Sequence, residues 1–400
     1  MIKFFFLFLF FSCSAFKPEE DLRNQEGYLL EESKKINYCQ SNKFQLIGAS
    51  SFAVKTFGKY LKKEKELSSY EKFSLWALFQ MNIHPDSSSP QSKLQIFVWD
   101  KQNLSYFEYD GNELGSTPFL DGISDFLTRT KQKKSIMDLA AILDKDFNFP
   151  IPIGSELAEF LRDNREKIQK DPNFKSVYFK ANHLITEKET LPHLNFKDLL
   201  KKRKNKITFN PTLFSDSYMD TSLNCNKNLS IMKEFIGPTG YSNHFAIKDN
   251  QTVILGVSSI TPDSEKSFGE TFLFSEKNKN YRPILCSMKK GDSFLIFASG
   301  LGKGPGQLLY HLLETDLNTK TSLEDLDIEL NNLRYITLRS PKRVVLEARR
   351  PSKEGLTKFL NSPLPVYSVP TLGNLWGYAS LKTGDGFIKD SRNESYLFCD

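Results

Sequence analysis

The stretch best suited to chemistry is Gly300-Leu-Gly-Lys-Gly-Pro-Gly306, in which Gly300, Gly302, Gly304 and Gly306 surround Lys303. It follows an apolar run, Ser293–Ala298, and opens a helical pattern, Pro305–Glu314. A strand, a glycine turn and a helix N-terminus can aim backbone N–H groups at one point and bind an anion there. The nucleotide-binding spacings are absent, however. A G-x-x-x-x-G-K-[ST] loop would need Lys and Ser or Thr where Gly306 and Gln307 stand, and Pro305 takes the third glycine of G-x-G-x-x-G. The plainer reading is a strand-to-helix turn with Pro305 at the first helical position.

Nucleophile and metal patterns are equally incomplete. Gly240-Tyr-Ser-Asn-His244 approaches G-x-S-x-G, with His in the last place. That elbow needs a strand before and a helix after, whereas here Pro238 precedes and a strand-like run follows. Ser287-Met-Lys-Lys290 fits S-x-x-K but leads into a turn at Gly291-Asp292 instead of starting a helix. The five histidines (His84, His183, His193, His244, His311) are scattered, with no H-E-x-x-H. His311 and Glu314 share a helix face, and such a pair reads as a surface contact. No calcium-loop rhythm occurs. Neither a metal nor a cofactor is expected. Paired carboxylates assembled in space leave no spacing to read. A dispersed active site would sit in 237–311, where His244, the glycine loop and His311 gather.

The chain opens Met1-Ile2-Lys3, then runs Phe4 to Phe11 without a polar residue. One positive charge before a short apolar run is the pattern of an export signal. It is far short of the roughly 20 apolar residues that span a bilayer. Phe10-Phe11-Ser12-Cys13 resembles a bacterial lipobox, in which the Cys is acylated and becomes the first mature residue. The resemblance implies a signal over 1–12, a lipid on Cys13 and a charged tether over 13–37. Ser14 after the Cys implies sorting toward an outer membrane. The competing route is ordinary cleavage after Ala15.

With Cys13 acylated, Cys39, Cys225, Cys286 and Cys399 remain, an even number that permits three pairings in an oxidising compartment. The favoured set is Cys225–Cys286 with Cys39–Cys399 tying the ends; free buried thiols are the alternative in a chain this long. No C-x2-C pair points to zinc. The net charge of +6 is modest for 400 residues. It suits mild attraction to anionic envelope polymers or headgroups and no nucleic-acid function, and the basic run Lys197–Lys206 lacks aromatics for stacking bases.

These residues need elements to hold them. Residues 38–205 are mostly helical, with a capping box at Ser68 and Glu71 opening a helix that is apolar nearly all round and ends before Pro85. Asp86–Pro90 is a loop, and Leu94–Trp99 and Ser105–Asp110 form a hairpin. Further helices fall at Ile123–Thr130, Ser135–Leu143 and Glu156–Ile168. From 206 to 400 strands dominate: His244–Ile247, Val253–Val257, Thr271–Phe274, Ile284–Met288, Ser293–Ala298, Tyr335–Leu338 and Val344–Ala348. Helices interrupt at Pro305–Glu314, from a Thr321/Glu324 cap to Leu333, and at Lys353–Leu360. The tail from Ser362 reads as coil and turns, with Trp376 an aromatic that could mark a binding surface. An α+β fold results, helix-rich in the N-terminal half and strand-rich in the C-terminal half. The expected role is an envelope lipoprotein, a non-catalytic binding or structural module; the alternative is a tethered or secreted hydrolase with a dispersed site in the C-terminal half.

Overall fold

The computed structural model describes residues 37–40, 43–85, 87–100, 103–109, 117–170, 172–187, 189–201, 224–225, 242–259, 284–290, 293–299, 320–331, 334–339, 342–347, 362–369, 375–392 and 395–400. In chain order their elements are β1 (Phe44–Gly48), α1 (Ser51–Lys63), α2 (Ser69–Ile83), β2 (Lys93–Asp100), β3 (Asn103–Tyr109), α3 (Pro118–Arg129), α4 (Ile136–Asp146), β4 (Ile151–Pro152), α5 (Ser155–Asp163), α6 (Arg165–Lys170) and α7 (Pro172–Tyr178). Then follow β5 (Phe179–Lys180), β6 (His183–Leu184), β7 (Thr190–Leu191), α8 (Phe196–Lys201), β8 (Asn224–Cys225), β9 (Ser242–Asp249), β10 (Thr252–Ser259), β11 (Ile284–Lys290) and β12 (Ser293–Ser299). The last are α9 (Leu323–Leu330), β13 (Tyr335–Arg339), β14 (Lys342–Glu347), β15 (Val366–Val369), β16 (Trp376–Leu381), β17 (Gly384–Lys389) and β18 (Tyr396–Cys399). The fold is α+β, with helices concentrated in the N-terminal half and strands in the C-terminal half.

The chain divides into two compact units, Ile36–Asn331 with Gly373–Asp400, and Met1–Lys35 with Asn332–Leu372. In the first, a six-stranded antiparallel sheet runs β18-β1-β9-β10-β2-β3 and a five-stranded one runs β17-β16-β12-β11-β8. The larger sheet draws strands from both sides of residue 205. In the second unit, β13, β14 and β15 form a small sheet whose β14–β15 pair is parallel.

Period-2 alternation decides what each face of the larger sheet buries. On one face Phe44, Leu46, Phe245, Ile247, Ile254, Leu94, Ile96 and Val98 meet α1 to α4. On the other Ile47, Ala246, Val253, Leu255, Val257 and Phe97 meet Phe294, Ile296, Trp376, Tyr378 and Phe387 of the second sheet. The order is helices, sheet, sheet. At the centre of the helical layer lies α2, buried from Glu71 through Ile83. Its start is fixed as the sequence predicts: Ser68 accepts from the Glu71 N–H while the Glu71 carboxylate accepts from the Ser68 N–H. Trp76 of this helix donates from Nε1 to Ile47 O at 3.0 Å, tying helix to sheet.

Several sequence expectations shift. The predicted helix Glu156–Ile168 is two helices, α5 and α6, parted at Asn164, whose side-chain amide donates to Phe160 O and so competes with the continuing ladder. The cap of α9 is Ser322, which accepts from Asp325 N–H, one residue beyond the expected Thr321. The tail from 362 contains four strands, β15 to β18, where coil was expected. Gly377 and Gly386 carry turn signals in sequence, yet both are strand residues. A Cβ on Gly377 would sit 2.0 Å from Ile296 O, and one on Gly386 would sit 1.7 Å from Cys39 O. Glycine there permits close backbone approach and makes no turn.

The Cys39–Cys399 disulfide joins positions 360 residues apart, the pairing favoured from sequence. Cys225 and Cys286 are Cα partners on the neighbouring strands β8 and β11. The signal 1–12, Cys13, the strand Thr271–Phe274 and the helices Pro305–Glu314 and Lys353–Leu360 lie outside the described residues.

Candidate functional site

Where β9 begins and β10 ends, the helical face of the large sheet turns from apolar to polar. Asn243 and Ser258 are Cα partners there, and both side chains are buried. Above them the last turns of α2 supply Gln80, and the loop after it supplies Ser88, each 0% exposed. Asn243 Nδ2 donates to Gln80 Oε1 at 2.8 Å and to Ser88 Oγ at 3.0 Å. Ser88 Oγ and Ser258 Oγ are 2.6 Å apart, close enough for one hydroxyl to donate to the other. Four uncharged side chains from two distant stretches thus form one hydrogen-bonded cluster.

The loop is built to hold Ser88 in place. Pro85 cannot continue α2, and the chain folds back so that Ser87 and Ser88 N–H donate to His84 O at 3.1 and 2.7 Å. Ser89 N–H donates to Ser92 Oγ at 2.8 Å, and Ser92 N–H returns a bond to Ser89 O at 3.0 Å. His84, Ser87, Ser89 and Ser92 are all buried. The run Ser87-Ser88-Ser89, read from sequence as a plain loop, is therefore buried.

The network also fixes which way the amides point. Gln80 Nε2 donates to Trp76 O at 3.4 Å, and a carbonyl can only accept. Gln80 Oε1 is then the acceptor facing Asn243, so Asn243 turns Nδ2 toward it. Asn243 Oδ1 is left buried without a hydrogen-bond partner among the described residues.

His244, next in the strand, points to the opposite face, where its ring stacks on Trp376 at 5.2 Å. Burial, reinforced by a smaller electrostatic effect of His84, holds its imidazole down at about 3, so the ring is neutral at pH 7. Trp376, expected as a surface aromatic, is 0% exposed because β16 is an inner strand whose side chains meet the larger sheet. On the same face Lys248 Nζ pairs with Asp385 Oδ2 at 3.1 Å, and Tyr378 Oη donates to that carboxylate at 2.5 Å.

The other histidines stand apart. His183 is an exposed partner of Glu189. His193 bridges Asn82 and Asp144, and burial lowers its imidazole pKa. Ser287 of the S-x-x-K pattern lies on β11, a strand and not a helix start. The loop residues Gly300, Gly302, Lys303, Gly304 and Gly306, together with Gly240 and His311, lie outside the described residues. No group of three or more His, Cys, Asp or Glu that could hold a metal ion occurs among the described residues. Within the region 237–311 the structure thus gives Asn243 and Ser258, not His244, to the polar cluster. Gln80, a polar residue amid the apolar faces of α2, was the sequence signal for it.

No protein-family model and no curated protein matches the chain. Solved structures do. The cephalosporin acylase of Bacillus halodurans superposes with a TM-score of 0.61 at 10% identity, covering 92% of this chain and 97% of the acylase. The structures of LmbA2991HD and LmbA2991T421A give TM-scores of 0.64 and 0.63 at 10% and 9% identity, each covering 90% of this chain and 99% of theirs. At such identity the likeness is one of fold.

Proposed function

We propose that this chain is an exported hydrolase of the bacterial envelope, tethered through Cys13, that cleaves amide bonds with the Asn243 cluster orienting the substrate. The observation that carries this reading is a buried, uncharged hydrogen-bonding cluster inside a fold shared over nine-tenths of the chain with a protein described as an acylase. Enzyme interiors hold such polar clusters where fixed donors and acceptors must meet a substrate without water competing. In hydrolysis water adds to the acyl carbon, the C–N bond breaks and the departing amine takes the proton. The cluster's part is to hold the polar groups flanking that bond.

The tether rests on other grounds: the run Phe4 to Phe11 ahead of Cys13, and a disulfide suited to an oxidising compartment. A net charge of +6 adds mild attraction to anionic headgroups or envelope polymers.

The test uses the mature chain, expressed with its signal in a bacterial host and assayed for release of the side-chain acyl group from a cephalosporin and of the amine from simple acyl anilides. Turnover that falls at least tenfold in Asn243→Ala and Ser88→Ala, with the far-ultraviolet circular dichroism unchanged, supports the reading. Absence of release from every substrate overturns it in favour of a non-catalytic envelope module. Intact mass beside a Cys13→Ala variant tests the tether separately. Lipid mass on a chain starting at Cys13, lost in the variant, supports it, and a soluble chain starting at Phe16 removes it.

A further inference from the structure

We infer that Asn243 Oδ1 is the receptor for a hydrogen-bond donor on the ligand, so that the site selects compounds carrying an amide N–H over isosteres lacking it. This deepens the hydrolase reading by naming what the cluster recognises, and it rests on that cluster being the binding site. The atom is an acceptor, it is inaccessible in a residue 2% exposed, and it has no partner among the described residues. Its orientation follows from the chain of bonds that begins at Trp76 O, runs through Gln80 and ends at Asn243 Nδ2. An acceptor left so carries an uncompensated desolvation cost, and a ligand that supplies the donor recovers it.

The surroundings narrow the ligand group. Every member of the cluster is neutral: two amides and two hydroxyls. Such a lining offers no counter-charge to a carboxylate, and desolvating an unpaired charge there is costly. A neutral N–H suits it. Trp376 Nε1 is also buried without a partner among the described residues, yet it is a donor in the layer between the sheets, where its ring stacks on His244.

The experiment uses acetamide and acetone, which have nearly the same shape and differ in NH2 against CH3. Side-chain amide signals of the intact mature protein, labelled with nitrogen-15 at Asn and Gln and assigned through Asn243→Asp and Gln80→Glu, are followed during titration. The expected result is a saturable shift of the Asn243 and Gln80 signals with acetamide. Acetone should bind about tenfold more weakly, the ratio of one neutral hydrogen bond. An Asn243→Leu variant should bind the two probes equally, and a matched thermal melt checks that it is folded. Equal binding of both probes to the unchanged protein, or no shift with either, overturns the inference. Acetamide selectivity in a protein that releases no acyl group would retain the binding inference while removing the hydrolase reading.

Discussion

Asn243 Nδ2 lies 2.8 Å from Gln80 Oε1, so a strand and a helix 163 residues apart in sequence share one buried hydrogen bond. Removing one partner strands the other. Gln80→Leu should destabilise the protein by about 1–3 kcal/mol, since the Asn243 amide loses an acceptor it cannot replace in the interior. The Gln80→Leu/Asn243→Leu double variant should cost less than the sum of the singles. Urea unfolding of the four proteins measures this, and additive losses would mean that the bond contributes nothing of its own.

The neutral state of His244 makes stability depend on pH. Its folded value of about 3 lies below the ordinary 6.5, so the unfolded chain takes up a proton more readily than the folded one between those values. The His244 contribution is therefore full above about pH 6.5 and is lost as pH falls toward 3, at up to about 1.4 kcal/mol per pH unit. His193, also lowered, acts in the same direction. In His244→Phe the melting temperature should fall less steeply between pH 6 and pH 4 than in the unchanged protein. Parallel curves would show that the ring does not resist protonation.

Gly377→Ala tests the contact between β12 and β16. The added methyl would lie 2.0 Å from Ile296 O, and the Phe297 ring at 2.7 Å crowds it further. A loss of about 1–3 kcal/mol or more is expected. Gly154→Ala, where an added Cβ meets nothing within 4 Å, is the control and should change stability little. Thermal melts of the two variants decide.

Reducing the Cys39–Cys399 bond, or replacing both residues with Ser, should cost about 2–5 kcal/mol, because the crosslink restrains so long a loop in the unfolded chain. Peptide mapping without reduction should recover the two termini as one linked fragment. Melting temperatures that match with and without reductant would count against a stabilising role.

Lys248 is 2% exposed and faces Asp385 between the sheets. Lys248→Met leaves that carboxylate, a quarter exposed and still bonded to Tyr378, without its paired charge and should destabilise by about 1–3 kcal/mol. Lys248→Met/Asp385→Asn should recover part of the loss, as read by urea unfolding.

The local grammar of this chain was legible in its residues. Ser68 and Glu71 mark the start of α2, Pro85 its end, and the alternation in Leu94–Trp99 and Val253–Val257 marks strands, because caps and periodicities act within a few residues. Oxidised pairing of Cys39 with Cys399 was one of three arrangements that the sequence allowed. Tertiary structure alone decided the rest. The glycines at 377 and 386 look like turn residues until the backbones of Ile296 and Cys39 are seen beside them. Trp376 is an inner-sheet residue stacked on His244, a fact that depends on which strands β16 joins. The cluster of Gln80, Ser88, Asn243 and Ser258 has no motif because each member comes from an element ordinary by itself. A one-residue step in β9 sends Asn243 to the helices and His244 to the second sheet, and only the pairing of β9 with β10 and the packing of α2 across them turn that alternation into a site.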